Sequence, residues 1–128
     1  MKSIRLEQEL ACPASAVWEI VSDVCRSDWV PMVDAIALDG DVRSFEMAGV
    51  GSIQERILEV DHDALRLRYS AISTPANIEH HLATICIVPD GDSCVLQWTT
   101  EIAPDQYADT VRGGMQLSIA ELRKVLEP

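Results

Sequence analysis

The sequence predicts an α+β fold in which an antiparallel β-sheet curves around one long C-terminal α-helix. Two observations carry this prediction. Residues 105–126 have the apolar periodicity of an amphipathic helix, and most of the chain before them consists of strand-like runs separated by turn residues. Strands that follow one another through tight turns pair antiparallel, and such a sheet buries its apolar face against a helix.

The first part of the chain predicts one strand and two short helices. Residues 3–10 partly alternate apolar and charged side chains, as in a half-buried edge strand. Pro13 suits the first position of a helix that buries Trp18, and residues 28–31 have the pattern of a second helical turn that ends at its proline.

Six more strands are predicted before the final helix. Each is followed by a group of residues that contains glycine, proline or aspartate and favours a turn or loop. The predicted strands cover residues 33–38, 42–47, 52–60, 65–72, 78–88 and 94–102. With the first strand they make seven, arranged as an antiparallel meander.

The final helix carries an apolar stripe and an unusual pair of glycines. The stripe comprises Tyr107, Val111, Met115, Ile119, Leu122 and Leu126. We expect Tyr107, Val111 and Met115 to line a cavity and the other three to anchor the helix, although plain core packing would also explain the stripe. Gly113 and Gly114 each cost a helix about 1 kcal/mol relative to alanine, so we expect a bend there, or else a close approach of a strand or partner chain.

Composition limits the possible partners. A chain of 128 residues with 48% hydrophobic and 24% charged residues suits a single folded domain, taken as residues 1–128. Its formal net charge of −11 argues against nucleic acid as a partner, because phosphates would repel it. We find no apolar run long enough for a membrane span and no signal peptide, and therefore expect a soluble, cytoplasmic protein without membrane insertion.

Motifs for nucleophilic or metal catalysis are missing from the sequence. There is no GxSxG elbow, HExxH motif or phosphate-binding loop. The four cysteines, Cys12, Cys25, Cys86 and Cys94, lack metal-ligand spacing with the histidines, and a Cys86–Cys94 disulfide across a predicted hairpin turn is disfavoured in the cytosol. We therefore expect no metal and no other cofactor.

The order of the elements, together with particular residues, resembles the SRPBCC superfamily, which includes START lipid-binding domains, birch pollen allergen-like proteins and polyketide cyclases or dehydrases. The likeness rests on PASAVW at residues 13–18, ERILEVD at residues 55–61 and LQWT at residues 96–99, and it spans nearly the whole chain. It implies a helix-grip fold, with a seven-stranded antiparallel sheet around the C-terminal helix and two short helices between the first two strands. It implies a cavity but no single activity.

Three polar side chains are candidates for the interior of such a cavity. Glu55 shares a strand face with Ile57, and the resemblance places this glutamate inward, where burial would raise its pKa or a cation would have to pair with it. The alternative is a cross-strand ion pair on a solvated face. His81 has the parity of Ile85, and the resemblance supports it as the inward one of two adjacent histidines. Tyr69 lies on the apolar face of its strand and offers a hydroxyl group.

Two tryptophans complete the candidate ligand-binding residues. Trp29 follows the first helix, where we expect it at the rim of the cavity. Trp98 shares parity with Leu96 and Ile102, but the direction of this face stays open, and packing is its expected role.

Three functions are compatible with this pattern. The first is the binding, and with it the transport, of a small hydrophobic or amphipathic molecule that Glu55, Tyr69 or His81 would orient. The second is an enzyme of the polyketide cyclase or dehydratase type, in which His81 or Glu55 removes a proton beside a carbonyl group and Tyr69 stabilises the enolate. The third is a protein-interaction adaptor with a vestigial cavity. The expected assembly is a monomer or a homodimer.

Overall fold

A computed structural model describes residues 1–127 of the chain, and Pro128, which the predicted domain includes, lies outside the described residues. One antiparallel sheet dominates the structure, in the strand order β1-β7-β6-β5-β4-β3-β2. Its strands are β1 (Lys2–Leu10), β2 (Ala37–Asp39), β3 (Val42–Met47), β4 (Gly51–Asp61), β5 (Arg66–Ser73), β6 (His80–Asp90) and β7 (Ser93–Ala103). The seven-stranded antiparallel sheet and the long C-terminal helix of the predicted helix-grip fold are confirmed.

Within residues 1–127 two α-helices accompany the sheet, one fewer than predicted. Helix α1 (Ala14–Val21) follows β1, and helix α2 (Ala108–Leu126) follows β7 after a short 3-10 turn (Asp105–Tyr107). The predicted second short helix at residues 28–31 forms successive turns instead. Pro31 accounts for this difference, because a proline disfavours the helical conformation of the residue before it.

The second strand is also shorter than predicted. It pairs with β3 only from Ala37, opposite Ser44, to Asp39, opposite Val42. Residues 33–36 therefore belong to the irregular segment that joins α1 to the sheet. This segment, rather than a strand, borders the concave face of the sheet.

The central strands are bent, which curves the sheet. β4 has two irregularities in its pairing with β5, one between Gln54 and Glu55 and one between Ile57 and Glu59. Such bulges bend the strand and increase its twist. At the start of β4, Gly51 has a φ of +125°, and a Cβ atom there would lie 2.9 Å from Cγ of Pro75, so this position requires glycine.

The hydrophobic core lies between the concave face of the sheet and the two helices. Its fully buried side chains include Ile4, Val17, Ile85, Leu96, Ile102 and Leu122. Helix α2 packs mainly on β1 and β7, at one side of the sheet. The concave face of β3, β4 and β5 is therefore not covered by α2 in the same way, and this difference produces the cavity described below.

The four cysteines are free thiols, of which Cys94 is buried and Cys25 is exposed. Cys94 pairs with Pro89 and Cys86 with Gln97, so the two cysteines considered for a disulfide do not lie opposite each other. Within residues 1–127 no group of three or more histidine, cysteine, aspartate or glutamate residues is placed to hold a metal ion. None of the described helices is both long enough and apolar enough to cross a membrane.

Candidate functional site

A cavity of about 450 Å³ lies between the concave face of the sheet, the segment after α1 and one side of α2. Its wall is mainly apolar and includes Trp29, Phe45, Met47, Leu67, Ile85 and Trp98. Small-molecule sites in proteins typically have volumes of roughly 300–1,000 Å³ and an apolar lining with few polar groups. The cavity is therefore large enough for a small ligand.

The α2 side of the cavity is lined mostly by small residues. Thr110, Gly113, Gly114 and Ser118 border the cavity together with Leu117, at the spacing of one helical face. A Cβ atom built on either glycine would meet no atom within 4 Å. The glycine pair therefore borders open space within an unbroken helix, and no strand approaches it closely.

This arrangement corrects the expected roles of two residues on α2. Tyr107 and Val111 are partly buried and pack against the core, and only Met115 of the three expected residues lines the cavity. With about 100° of rotation per residue, the face formed by Thr110, Gly113, Gly114, Leu117 and Ser118 is centred roughly a third of a turn from the apolar stripe. The apolar stripe packs the helix on β1 and β7. The neighbouring face of the helix, which carries the small residues, therefore faces the cavity.

Three large apolar side chains are exposed where the cavity opens to solvent. Met32 is 55% exposed, Val50 is 50% exposed and Leu117 is 54% exposed, and all three line the cavity. They come from the segment after α1, the β3–β4 turn and α2. Exposed apolar residues that surround a cavity are typical of a binding site. We call these three residues the mouth of the cavity.

The polar end of the cavity is an ion pair between Arg43 and Glu55. Nε and Nη2 of Arg43 both lie 2.8 Å from Oε1 of Glu55, and the side chains are only 11% and 13% exposed. Arg43 also donates from Nη1 to the carbonyl oxygen of Val24 at 3.1 Å. Burial raises the pKa of the Glu55 carboxyl group, while the charge and hydrogen bond of Arg43 act in the opposite direction.

Arg43 is a site residue that was not among the sequence candidates. The sequence contained a signal for it, because a hairpin in which Met47 pairs with Gly51 must place Arg43 opposite Glu55. Glu55 points inward, as the resemblance implied, and it also belongs to a cross-strand pair, which was the alternative. Glu55 is thus both an inward residue and a member of a cross-strand ion pair, because the pair is buried at the cavity and not on a solvated face.

Tyr69 lies next to this pair. Its ring is buried and lines the cavity, and the guanidinium carbon of Arg43 lies 4.6 Å from the ring centre. Burial, followed by the negative charge of Glu55, raises the pKa of the hydroxyl group, so it stays protonated. The indole N–H of Trp98 approaches the Tyr69 hydroxyl without reaching the geometry of a hydrogen bond.

Trp29 and Trp98 both line the cavity. Their ring centres are 5.9 Å apart, with an angle of 59° between the ring planes. The direction of Trp98, which the sequence left open, is inward, and the residue is 5% exposed.

His81, an expected cavity residue, lies outside the cavity. β5 and β6 pair only as far as Tyr69, which lies opposite Ala83, and His81 comes just beyond this point. Its Nδ1 accepts a hydrogen bond from the backbone N–H of Ala71 at 2.9 Å, and its ring packs against Tyr69 with 6.0 Å between the ring centres. Burial lowers the pKa of His81 to about 4, so the imidazole is neutral near pH 7. His81 is not among the residues that line the cavity.

Comparison by sequence gives one match to a known family. The model of a family described as polyketide cyclase / dehydrase and lipid transport matches residues 1–127. None of the curated proteins compared with the chain matches it.

Comparison with solved structures gives many matches to the fold. An uncharacterised protein from Bacillus thuringiensis has a TM-score of 0.88 and 19% sequence identity, covering 99% of this chain and 100% of that one. A protein from Thermobifida fusca has a TM-score of 0.84 and 28% identity, covering 96% and 91%. Norcoclaurine synthase from Thalictrum flavum, in complex with dopamine and hydroxybenzaldehyde, has a TM-score of 0.75 and 21% identity, covering 98% and 86%. These structures share the sheet and the long C-terminal helix over nearly the whole chain.

Proposed function

Because this chain belongs to the polyketide cyclase / dehydrase and lipid transport family, we propose that it binds a small hydrophobic or amphipathic molecule in the cavity between the sheet and α2. The observation that carries this proposal is a cavity of about 450 Å³ with an apolar wall and an apolar mouth. An adaptor with a vestigial cavity would not need to maintain such a space.

The hydrophobic effect supplies most of the expected affinity. Each Å² of apolar surface removed from water contributes roughly 25 cal/mol, and a bound molecule would also cover part of Met32, Val50 and Leu117, which are about half exposed. The cavity is already open in the structure described, so little of this free energy is needed to order the protein.

The first experiment asks whether the cavity binds apolar molecules. Nile red, an uncharged apolar dye, should bind and change the fluorescence of Trp29 and Trp98, which line the cavity. Gly113→Leu should weaken this binding because the new side chain enters the open space beside the helix. Ala120→Leu is the matched control, since Ala120 is an exposed residue of the same helix and does not line the cavity.

Native mass spectrometry of the protein purified from its own cells would then identify a retained ligand. A clean apo mass together with no binding of Nile red would contradict the proposal. Binding of Nile red that Gly113→Leu and Ala120→Leu leave equally strong would place the binding site elsewhere.

The position of Glu55 favours one second candidate, a reaction of the cyclase or dehydratase type. A carboxylate of raised pKa within an apolar cavity is suited to remove a proton from a carbon beside a carbonyl group, and the neighbouring Tyr69 hydroxyl is suited to stabilise the enolate oxygen. His81, which the sequence suggested as an alternative base, is outside the cavity. The enzymatic candidate therefore depends on Glu55 and Tyr69.

Deuterium incorporation tests this second candidate without knowledge of the natural substrate. Methyl nonyl ketone in deuterated water should exchange the protons beside its carbonyl group faster with the protein than without it. Glu55→Gln should return the rate to that of buffer. Equal exchange with and without the protein would reject proton abstraction from this ketone and leave only the binding function.

A further inference from the structure

The polar end of the cavity has two atoms that remain free to bind a ligand. Both bonds from Arg43 reach Oε1 of Glu55, and no residue among 1–127 donates to Oε2. The Tyr69 hydroxyl likewise has no hydrogen bond within the described residues. In that part of the chain, Trp98 Nε1 is the one unpaired side-chain nitrogen or oxygen that is sealed from solvent, so Oε2 and the Tyr69 hydroxyl keep access to the cavity.

The two free atoms have different hydrogen-bonding roles. Oε2 of the ionised Glu55 can only accept a hydrogen bond. The Tyr69 hydroxyl stays protonated in its buried position, and no acceptor for its proton is found among the described residues, so it can donate to a ligand. A ligand that satisfies both atoms must bring one donor and one acceptor.

The charges at this end of the cavity cancel. Arg43 and Glu55 contribute one positive and one negative charge at 2.8 Å, and both side chains are almost completely buried. A ligand carboxylate would be repelled by Oε2 of Glu55, whereas a ligand ammonium group would add an unbalanced positive charge next to the Arg43 guanidinium. Either would bury a net charge at this end of the cavity, which is unfavourable.

From these observations, and because Glu55 and Tyr69 both contact Arg43, we propose that the ligand is uncharged and carries a hydroxyl group and a carbonyl group at one end, with the hydroxyl bound to Glu55 and the carbonyl bound to Tyr69. Its apolar body extends towards the mouth at Met32, Val50 and Leu117. This inference rests on the proposed binding function and specifies the ligand class for the same cavity.

Four probes with the same number of carbon atoms test the inference. They are unbranched twelve-carbon molecules that differ in the polar group at one end: hydroxymethyl decyl ketone, dodecanol, dodecanoate and dodecylammonium. Each is titrated below its critical micelle concentration at pH 7, with displacement of Nile red as the readout. Hydroxymethyl decyl ketone should bind at least tenfold more tightly than dodecanoate and dodecylammonium, with dodecanol between them.

Two variants show whether Glu55 and Tyr69 cause this preference. Tyr69→Phe removes only the hydroxyl group, so the ketone should lose about fivefold in affinity while dodecanol changes less. Glu55→Gln removes the negative charge beside Arg43, so dodecanoate should gain affinity relative to the ketone. Glu59→Gln is the matched control, because Glu59 pairs with Arg66 on the same strand but does not line the cavity.

The outcomes separate the inference from the function on which it rests. If dodecanoate or dodecylammonium binds as tightly as the ketone, the inference is wrong and the binding function stands. If no probe displaces Nile red and the dye itself does not bind, both are wrong. If Glu55→Gln does not fold, Tyr69→Phe still decides, because equal losses for the ketone and dodecanol would overturn the assigned carbonyl contact.

Discussion

The guanidinium carbon of Arg43 lies 4.6 Å from the centre of the Tyr69 ring while the same side chain forms the buried ion pair with Glu55. One cation on β3 therefore contacts the polar groups that β4 and β5 contribute to the cavity. A cation over an aromatic ring is attracted to the ring face, and the ion pair fixes the guanidinium in this position. Arg43 thus positions both groups that are proposed to bind the ligand.

Loss of the Arg43 side chain should destabilise the protein strongly. Arg43→Met leaves the Glu55 carboxylate buried without a cation, and breaking such a pair typically costs about 3–5 kcal/mol of unfolding free energy. The loss should become smaller as the pH falls, because protonated Glu55 does not need the cation. Urea denaturation at several pH values measures both effects.

Arg66→Met is the control for this prediction. Arg66 pairs with Glu59 on neighbouring strands, but the two side chains are 35% and 34% exposed. Ion pairs that are open to solvent contribute little to stability, so this variant should lose much less stability. Equal losses for the two variants would contradict the importance of burial at the Arg43–Glu55 pair.

The glycine pair of α2 should be replaceable by alanine with a gain in stability. Gly113→Ala and Gly114→Ala should each raise the unfolding free energy by about 1 kcal/mol, because alanine favours the helix and the added methyl group meets no atom within 4 Å. Thermal and urea denaturation measure the change.

Gly91→Ala, in the β6–β7 turn, is the matched control with the opposite sign. Its Cβ atom would also meet no atom within 4 Å, but Gly91 has a φ of +62°, which disfavours alanine. This variant should be less stable than the parent. If Gly113→Ala also lost stability, the prediction would be wrong, and Gly113 would be needed for the structure of the helix as well as for the open space of the cavity.

The stability of the protein should fall at low pH through His81. Its folded pKa of about 4 lies below the ordinary value of 6.5, so the unfolded chain binds more protons between these two values. The contribution of His81 is therefore complete above pH 6.5 and is lost as the pH falls towards 4, by roughly 3 kcal/mol at most. His81→Asn should flatten this part of the stability curve, because Oδ1 of asparagine replaces Nδ1 as the acceptor of the Ala71 N–H.

His80→Asn provides the comparison for His81→Asn. His80 is exposed on the opposite face of β6 and its charge is only a secondary cause of the lowered pKa of His81, after burial, so its replacement should leave most of the steep fall of the parent. Glu55 changes the unfolding free energy with pH in the opposite direction, since its raised pKa makes the native state retain a proton. The parent, His81→Asn and His80→Asn all contain Glu55, so its effect is the same in the three proteins. Equal slopes in the parent and His81→Asn would refute the prediction.

A charge at the mouth should weaken ligand binding without unfolding the protein. Leu117→Glu places a carboxylate where the bound molecule would cover an apolar surface, and the affinity for Nile red should fall by tenfold or more. The unfolding free energy should change by less than about 0.5 kcal/mol, because Leu117 is 54% exposed. Leu38→Glu is the control, since Leu38 is 46% exposed on β2 and does not line the cavity. Equal affinities for the two variants would remove Leu117 from the binding site.

The strands could be predicted because they depend on local properties of the chain, whereas the inward direction of Glu55 was implied by the family resemblance. Alternation with a period of two assigns side chains to the faces of a strand, and turn residues between strands set the pairing of a hairpin. The same rules contained the pairing of Arg43 with Glu55 once the β3–β4 register was known. Residues 28–31 were mispredicted as helix, although Pro31 was a local signal against it.

The sequence by itself determined the order of the strands, the positions of the first and last helices and the amphipathic nature of α2, because these follow from periodicity and turn residues. The tertiary structure decided which flank of α2 faces the cavity. The direction of this flank depends on how the buried stripe residues Met115, Ile119 and Leu122 pack the helix against β1 and β7, two strands that are distant from each other in the sequence. The same holds for His81, which shares the parity of the buried Ile85 but lies outside the cavity, just beyond the point where β5 and β6 stop pairing. Periodicity specifies the face of an element, whereas the packing of elements against one another specifies what that face meets.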